Sequence, residues 1–240
     1  MAFGQYNRYA TQGRAIDQAQ FDEGLRQHML RVYNYMTVGL VITGLIAFFG
    51  SSSPALVAAI FGTWLKWVVM LAPLAFIMVI SFNFHKMASG TLQMLFWAFC
   101  ALMGLSMMSV FLVFTGESIA RVFFITAATF AAASLYGYTT KADLTKMGAF
   151  LFMGLVGIVI AGVVNLFVGS SALQFAISVI GVIVFTGLTA WDTQTIKEQY
   201  AEGWGEESNN KLAVMGALSL YLNFINLFQM LLQLLGQREE

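Results

Sequence analysis

The chain has 240 residues, 59% of them hydrophobic and only 10% charged, and its 12 basic and 12 acidic side chains cancel to zero net charge. Soluble domains carry about 25% charged residues, so this chain lacks the charge to cover a water-facing surface, and without a basic excess it offers no face for nucleic acid. A mean hydropathy of +0.76 and two prolines point instead to long uninterrupted helices in a lipid bilayer.

Residues 1–31 are polar and contain no apolar core of a cleavable signal peptide. They read as an N-terminal tail whose latter part, Ala15 to Arg31, has the weak periodicity of a short amphipathic helix at the membrane surface. Crossing a bilayer takes about 20 apolar residues in a helix. Seven such runs follow, at 32–50, 64–84, 91–115, 119–138, 147–168, 172–192 and 212–235. The stretch 55–62 is apolar but too short to span; it either lengthens the second run or lies at the interface. Pro73 is a candidate kink in that second run. The links are short except for 193–211, the one long charged loop.

The runs are continuous and about twice the length of barrel strands, which alternate polar and apolar residues. The predicted fold is therefore an all-α integral membrane protein with about seven transmembrane helices: a tail over 1–31 and a seven-span domain over 32–236. With seven spans, one side holds Arg8, Arg14, Arg26, Arg31, Lys86, Lys141, Lys146, Lys197 and Lys211; the other holds Lys66, Arg121 and Arg238. The excess of Lys and Arg places the N-terminus in the cytoplasm and the C-terminus outside.

Ionisable residues inside spans are costly and so are functional candidates. Asp192, at the end of the sixth run, is the one acidic residue firmly embedded in a run. It reads either as a carboxylate at the interface, solvated or paired with Lys197, or as a cation or proton site. In the seventh run Asn223, Asn226, Gln229 and Gln233 recur at helical spacing and form a polar stripe. Such a stripe must face protein or water, which suits both interhelical hydrogen bonding and the lining of a polar path. His85 and Lys86 end the second run on the side of Asp192; they are either anchors or basic partners for it. Glu117 and Arg121 read as a surface ion pair, Asp143 as a helix cap, Gly157 and Ala161 as a small-residue pair for tight helix packing, and Trp64, Trp67 and Tyr138 as interfacial aromatics. Cys100 reads as apolar filler.

Catalytic patterns are missing. The sequence has no HExxH, no phosphate loop and no GxSxG elbow, and its two histidines are too few for a histidine metal cluster. One embedded aspartate cannot form an aspartyl-protease dyad. No enzyme activity, cofactor or metal centre is expected.

Four segments carry a resemblance. They are Tyr136-Gly-Tyr-Thr-Thr-Lys141-Ala-Asp143-Leu, Ala176-Ile-Ser-Val-Ile-Gly-Val-Ile-Val-Phe185, Ala190-Trp-Asp192-Thr-Gln-Thr-Ile-Lys197 and Ala217-Leu-Ser-Leu-Tyr-Leu-Asn223-Phe-Ile-Asn226-Leu-Phe228. Together they resemble the Bax inhibitor-1 family of seven-span membrane proteins, over about residues 25–236. The resemblance implies a bundle with the seventh span central and a pH-sensitive calcium leak. It also implies a pH sensor made of one aspartate in span 6 and one in span 7, with a basic residue from span 2 nearby. Bacterial relatives lie in the inner membrane; eukaryotic ones lie in internal membranes and restrain cell death. Asp192 matches the first aspartate. The second usually stands in Leu-Tyr-Leu-Asp-Phe-Ile-Asn, and here that position is Asn223. His85 or Lys86 matches the basic partner only loosely. Two close carboxylates share a proton, whereas an Asp–Asn pair does not, so the expected pH response is weaker or displaced to lower pH, with poorer calcium binding.

The expected function is thus a bacterial inner-membrane cation leak, in contact with lipid and passing calcium or protons. The rival is a non-conducting regulator that binds other membrane proteins, and a proton-coupled transporter ranks third. One geometric problem stands: Asp192 ends its run, whereas Asn223 lies about 16 Å into the next.

Overall fold

The computed structural model describes residues 3–84, 86–201 and 205–239, with side-chain surroundings from Phe21 onward. The described residues form eight helices: α1 (Phe3–Ser51), α2 (Pro54–Phe61), α3 (Leu65–Asn83), α4 (Ser89–Val113), α5 (Gly116–Thr139), α6 (Thr145–Val168), α7 (Ser171–Gln199) and α8 (Gly205–Leu235). All but α2 are long and apolar enough to cross a membrane. Among the described residues the only β pairing is an isolated bridge between Phe114 and Arg238. The fold is the all-helical membrane bundle that the sequence predicts.

α1 runs through the boundary at 31–32 without a break, because residues on both sides of it pack into the bundle: His28, Met29 and Val32 are all buried. The 55–62 stretch does not extend the second span. It forms its own short helix, α2, which starts on Pro54 with the Ser53 hydroxyl accepting from the Leu56 N–H and ends at Gly62. Ile60 of α2, Val69 of α3 and Met108 of α4 make a small satellite core there. α3 carries Pro73 as a single helix.

The largest departure concerns the loop 193–211. α7 continues past 192 to Gln199, and α8 begins at Gly205, so the long charged loop is mostly helix. The polar residues that end the apolar run are satisfied inside the protein. Thr189, Thr193 and Thr195 each donate to the carbonyl four residues back. Gln194 bonds the Leu144 N–H and the Ala142 carbonyl, both at 2.8 Å, and Lys197 bonds the Tyr138 carbonyl at 2.8 Å. With these bonds α7 docks its polar end on the α5–α6 connection rather than unwinding into water. The first turn of α8 holds Glu206 and Glu207, which suit a helix N-terminus. Glu207 also accepts from the backbone and side chain of Ser89 at 2.8 and 2.7 Å, capping α4.

α8 is the most buried of the seven long helices and also the least apolar, whereas α6 is the most apolar and the least buried. That inverse order follows from the solvent: lipid accepts apolar side chains, so polar ones move inward. α8 packs against α1, α4, α5 and α7; α3 packs on α4, and α6 on α7. The bundle is therefore central on α8, as the resemblance implies, with four direct neighbours and two helices set further out. At the far end the chain after α8 hooks onto the α4–α5 turn, where the Gln237 N–H donates to the buried Ser118 hydroxyl and the Glu239 N–H to the Val113 carbonyl. We call this end the C-terminal face and the opposite one the α7–α8 face.

Other sequence expectations are corrected in detail. Gly157 has open space where a side chain would stand, so the Gly157–Ala161 pair does not mediate tight packing in the bundle. The close approaches lie elsewhere. A Cβ on Gly137 would collide with the Ala190 carbonyl, and one on Gly148 with the Trp191 ring. These two glycines let α5 and α6 grip α7 immediately before Asp192. The helix-cap position of α6 is Leu144, yet Asp143 still serves the helix start by accepting from the Thr145 N–H at 2.9 Å. Bonds from the Thr145 side chain and backbone hold the Asp143 carboxyl below its ordinary range. Glu117 and Arg121 form the expected exposed ion pair at 3.8 Å.

Because the atom facing Gly137 is backbone, it cannot swing away. Gly137→Ala is expected to lower stability by about 1–3 kcal/mol, read as a lower unfolding temperature of the detergent-solubilised protein. An unchanged temperature would show that α5 and α7 do not approach so closely.

Candidate functional site

The long α7 and early α8 resolve the depth problem. Extending both helices toward the α7–α8 face brings Asp192 and Asn223 side by side. Asn223 Nδ2 donates to Asp192 Oδ2 at 2.7 Å, and the Ser219 hydroxyl donates to the same oxygen at 2.6 Å. Ser219 and Asn223 are one turn apart on α8, so the two donors converge from one face. Asn223 is buried, and Asp192 and Ser219 are half-buried. Among the described residues no bond reaches Asp192 Oδ1 and no cation pairs with the carboxylate. Oδ1 is therefore the atom left to meet water, a proton or a cation.

The proposed basic partners behave differently. Lys86 is exposed at the α7–α8 face and makes no ion pair with Asp192; His85 lies outside the described residues. Lys197, the other suggested partner, is held by Tyr138: it bonds that residue's carbonyl and sits 5.6 Å from its ring centre. The polar stripe of α8 divides. Asn223 bonds Asp192. Asn226 is half-buried and donates to the Leu222 carbonyl of its own helix at 2.8 Å. Gln229 is half-buried farther along, and Gln233 is exposed near the C-terminal face.

Two further polar groups join the helices around this site. Thr43 of α1 donates to the Cys100 carbonyl of α4 at 2.9 Å, so its oxygen is left to accept from the Tyr221 hydroxyl of α8 at 2.6 Å. Tyr221 is fully buried, edge-on to Phe96 and Phe99. The second group is a hydroxyl chain. Thr193 spends its proton on the Thr189 carbonyl, so Ser134 donates to Thr193 at 3.0 Å and Tyr33 donates to Ser134. This chain ties α1 and α5 to α7 one residue from Asp192. Sequence reasoning identified Asp192 and Asn223 but missed Ser219, Tyr33, Ser134 and Thr193. Ser219 was findable in principle, since it stands one turn before Asn223. The hydroxyls carried no signal, because an isolated Ser or Thr in a membrane helix bonds its own backbone.

The chain is similar to known proteins over most of its length. The family model described as inhibitor of apoptosis-promoting Bax1 matches residues 25–240. The chain is 48% identical over 220 residues to an uncharacterized protein of Rickettsia prowazekii, covering 92% of this chain and 93% of the relative. It is 43% identical over 247 residues to an uncharacterized protein of Caulobacter vibrioides, covering 98% and 99%. It is 45% identical over 218 residues to inner membrane protein YbhL of Escherichia coli K12, covering 90% and 93%.

Removing both donors with Ser219→Ala and Asn223→Ala should cost about 1–3 kcal/mol, the penalty for stranding a partly buried acceptor. In an Asp192→Ala background the same pair should cost under half as much. Equal costs in both backgrounds, measured by thermal unfolding, would mean that the two side chains act through packing and not through Asp192.

Proposed function

The chain belongs to the Bax inhibitor-1 family, and on that premise we propose that it is a membrane cation-leak protein that passes calcium. The observation that carries the reading is the Asp192 carboxylate of α7 held against the central helix α8, with Oδ2 fixed by Ser219 and Asn223 and Oδ1 left open. Calcium prefers six to eight oxygen ligands. One carboxylate with a few neutral neighbours binds it weakly, which suits conduction, because an ion must leave as readily as it enters. The reading includes no catalysis: among the described residues no second carboxylate is bonded to the embedded one.

In this proposal the protein sits in a bacterial inner membrane, as the name of its Escherichia coli relative suggests. The α7–α8 face is cytoplasmic, since it carries Arg26, Arg31, Lys86, Lys141, Lys146, Lys197 and Lys211. That puts Asp192 nearer the cytoplasmic end of the path and the C-terminus outside.

One observation favours a second reading. Asn223 stands where the family's second aspartate is expected, and its amide bonds the carboxylate directly, so no proton is shared between two acids. A protein that has given up the shared proton can serve as a non-conducting regulator that binds other membrane proteins.

Calcium influx into liposomes holding the purified protein separates the two. The leak reading expects flux above protein-free liposomes, at least a tenfold loss in Asp192→Ala, and a steeper pH dependence in Asn223→Asp than in wild type. Absence of flux from folded wild-type protein at every pH would exclude the leak and leave the regulator.

A further inference from the structure

α1 and α5 flank α8 without closing on each other, and the gap between them is a groove of about 570 Å³. Met29, Met36 and Leu40 of α1 form one wall, Ala127 and Ala131 of α5 the other, and Phe224 of α8 the floor. Its rim residues Leu30 and Leu135 are exposed, so the groove opens sideways onto the surface that lipid covers. Beyond Leu40 and Phe123 a smaller apolar cavity of about 90 Å³ continues it toward the C-terminal face. Asp192, Ser219 and Asn223 are absent from its lining, so the groove is separate from the carboxylate site.

The polar groups of the groove are not evenly spread. Arg26 stands at the end on the α7–α8 face, and Tyr138, whose carbonyl holds Lys197, stands at the same end. Among the described residues Arg26 is paired only with Glu23 of its own helix, at 3.4 Å with both side chains well exposed. An exposed pair of that kind contributes little, so its guanidinium is readily given to a better partner. A guanidinium binds a phosphate oxyanion by two parallel hydrogen bonds, and an exposed carboxylate one turn away competes poorly with that geometry. The dimensions match as well. From Arg26 to Leu40 the groove follows α1 for roughly 21 Å, more than the ~15 Å that one leaflet contributes to a ~30 Å core.

We propose that this groove binds one acyl chain of an anionic phospholipid from the leaflet on the α7–α8 face, with the headgroup phosphate on Arg26. The apolar walls hold the chain, and the charge at one end fixes which way it lies. Glu23 is the opposing charge at that end, and the Lys197 ammonium is bonded to the carbonyl of the groove residue Tyr138. The bound chain lies against Tyr33 and Ser134, two members of the hydroxyl chain that reaches Thr193, so its occupancy bears on the helices that hold Asp192.

The test is native mass spectrometry of the full chain in detergent, titrated with phosphatidylglycerol or phosphatidylcholine. Wild type should retain one phosphatidylglycerol under activation that strips the rest, in about tenfold preference over phosphatidylcholine. Arg26→Gln should reduce that preference to near parity while still retaining a lipid. Ala131→Trp, which fills the groove from an exposed position, should lose the retained lipid of either kind; Ala127→Trp, one turn nearer Phe123, is the second plug should the first fail to fold. Equal retention of the two lipids by wild type would overturn the anionic assignment. Unchanged retention in a folded plug variant would overturn the groove as the site. A wild-type spectrum of dimers without lipid would assign the groove to a second copy of the chain instead. Each readout is a mass, so a protein that conducts nothing is still informative here.

Discussion

A polar side chain facing hydrocarbon has no water to bond, and each unsatisfied group there costs several kcal/mol. α8 carries Ser219, Tyr221, Asn223 and Asn226 within little more than two turns, so it can exist in a bilayer only with other helices around it. The rest of the bundle answers that constraint. α7 supplies a carboxylate for Ser219 and Asn223, α1 supplies a threonine for Tyr221, and α4 and α5 cover the remaining faces with aromatic rings. The two most apolar of the long helices, α3 and α6, are the ones that face outward.

The carboxylate site is held by backbone approach as much as by hydrogen bonds. Gly137 and Gly148 admit α5 and α6 to within contact of Ala190 and Trp191, which fixes the rotation of α7 at the residue before Asp192. The threonines after Asp192 bond their own backbone and keep α7 helical through a stretch too polar to span by itself. The result is an acid with one oxygen committed and one open, set among neutral donors. That is a different electrostatic object from two acids sharing a proton, and the difference rests on Asn223 alone.

Much of this was legible in the chain. The number of long helices, their approximate bounds and the pairing of Asp192 with the seventh span follow from apolar run length and from the resemblance. The extent of α7 and α8 was not legible. Hydropathy reports where lipid can touch a helix and is silent about a helix that continues beside protein. Gln194, Lys197 and Glu207 look like loop residues in sequence and act as docking groups in the fold. The same limit explains the small-residue pair: Gly157 and Ala161 have the spacing of a packing motif, yet α6 turns Gly157 outward and uses Gly148 and Gly154 against α7.

The amino-acid sequence by itself determined that the chain is a helical membrane protein with about seven spans and singled out its one embedded acid, Asp192, as the candidate site, because apolar run length and the cost of charge in lipid are local properties. The tertiary structure decided which side chains meet that acid, that Lys86 does not, that α8 is buried by four neighbours, and that α1 and α5 leave a lateral groove with an arginine at one end. Those outcomes depend on helix rotation, depth and tilt, which are set by packing between segments far apart in the chain and are not written in any one of them.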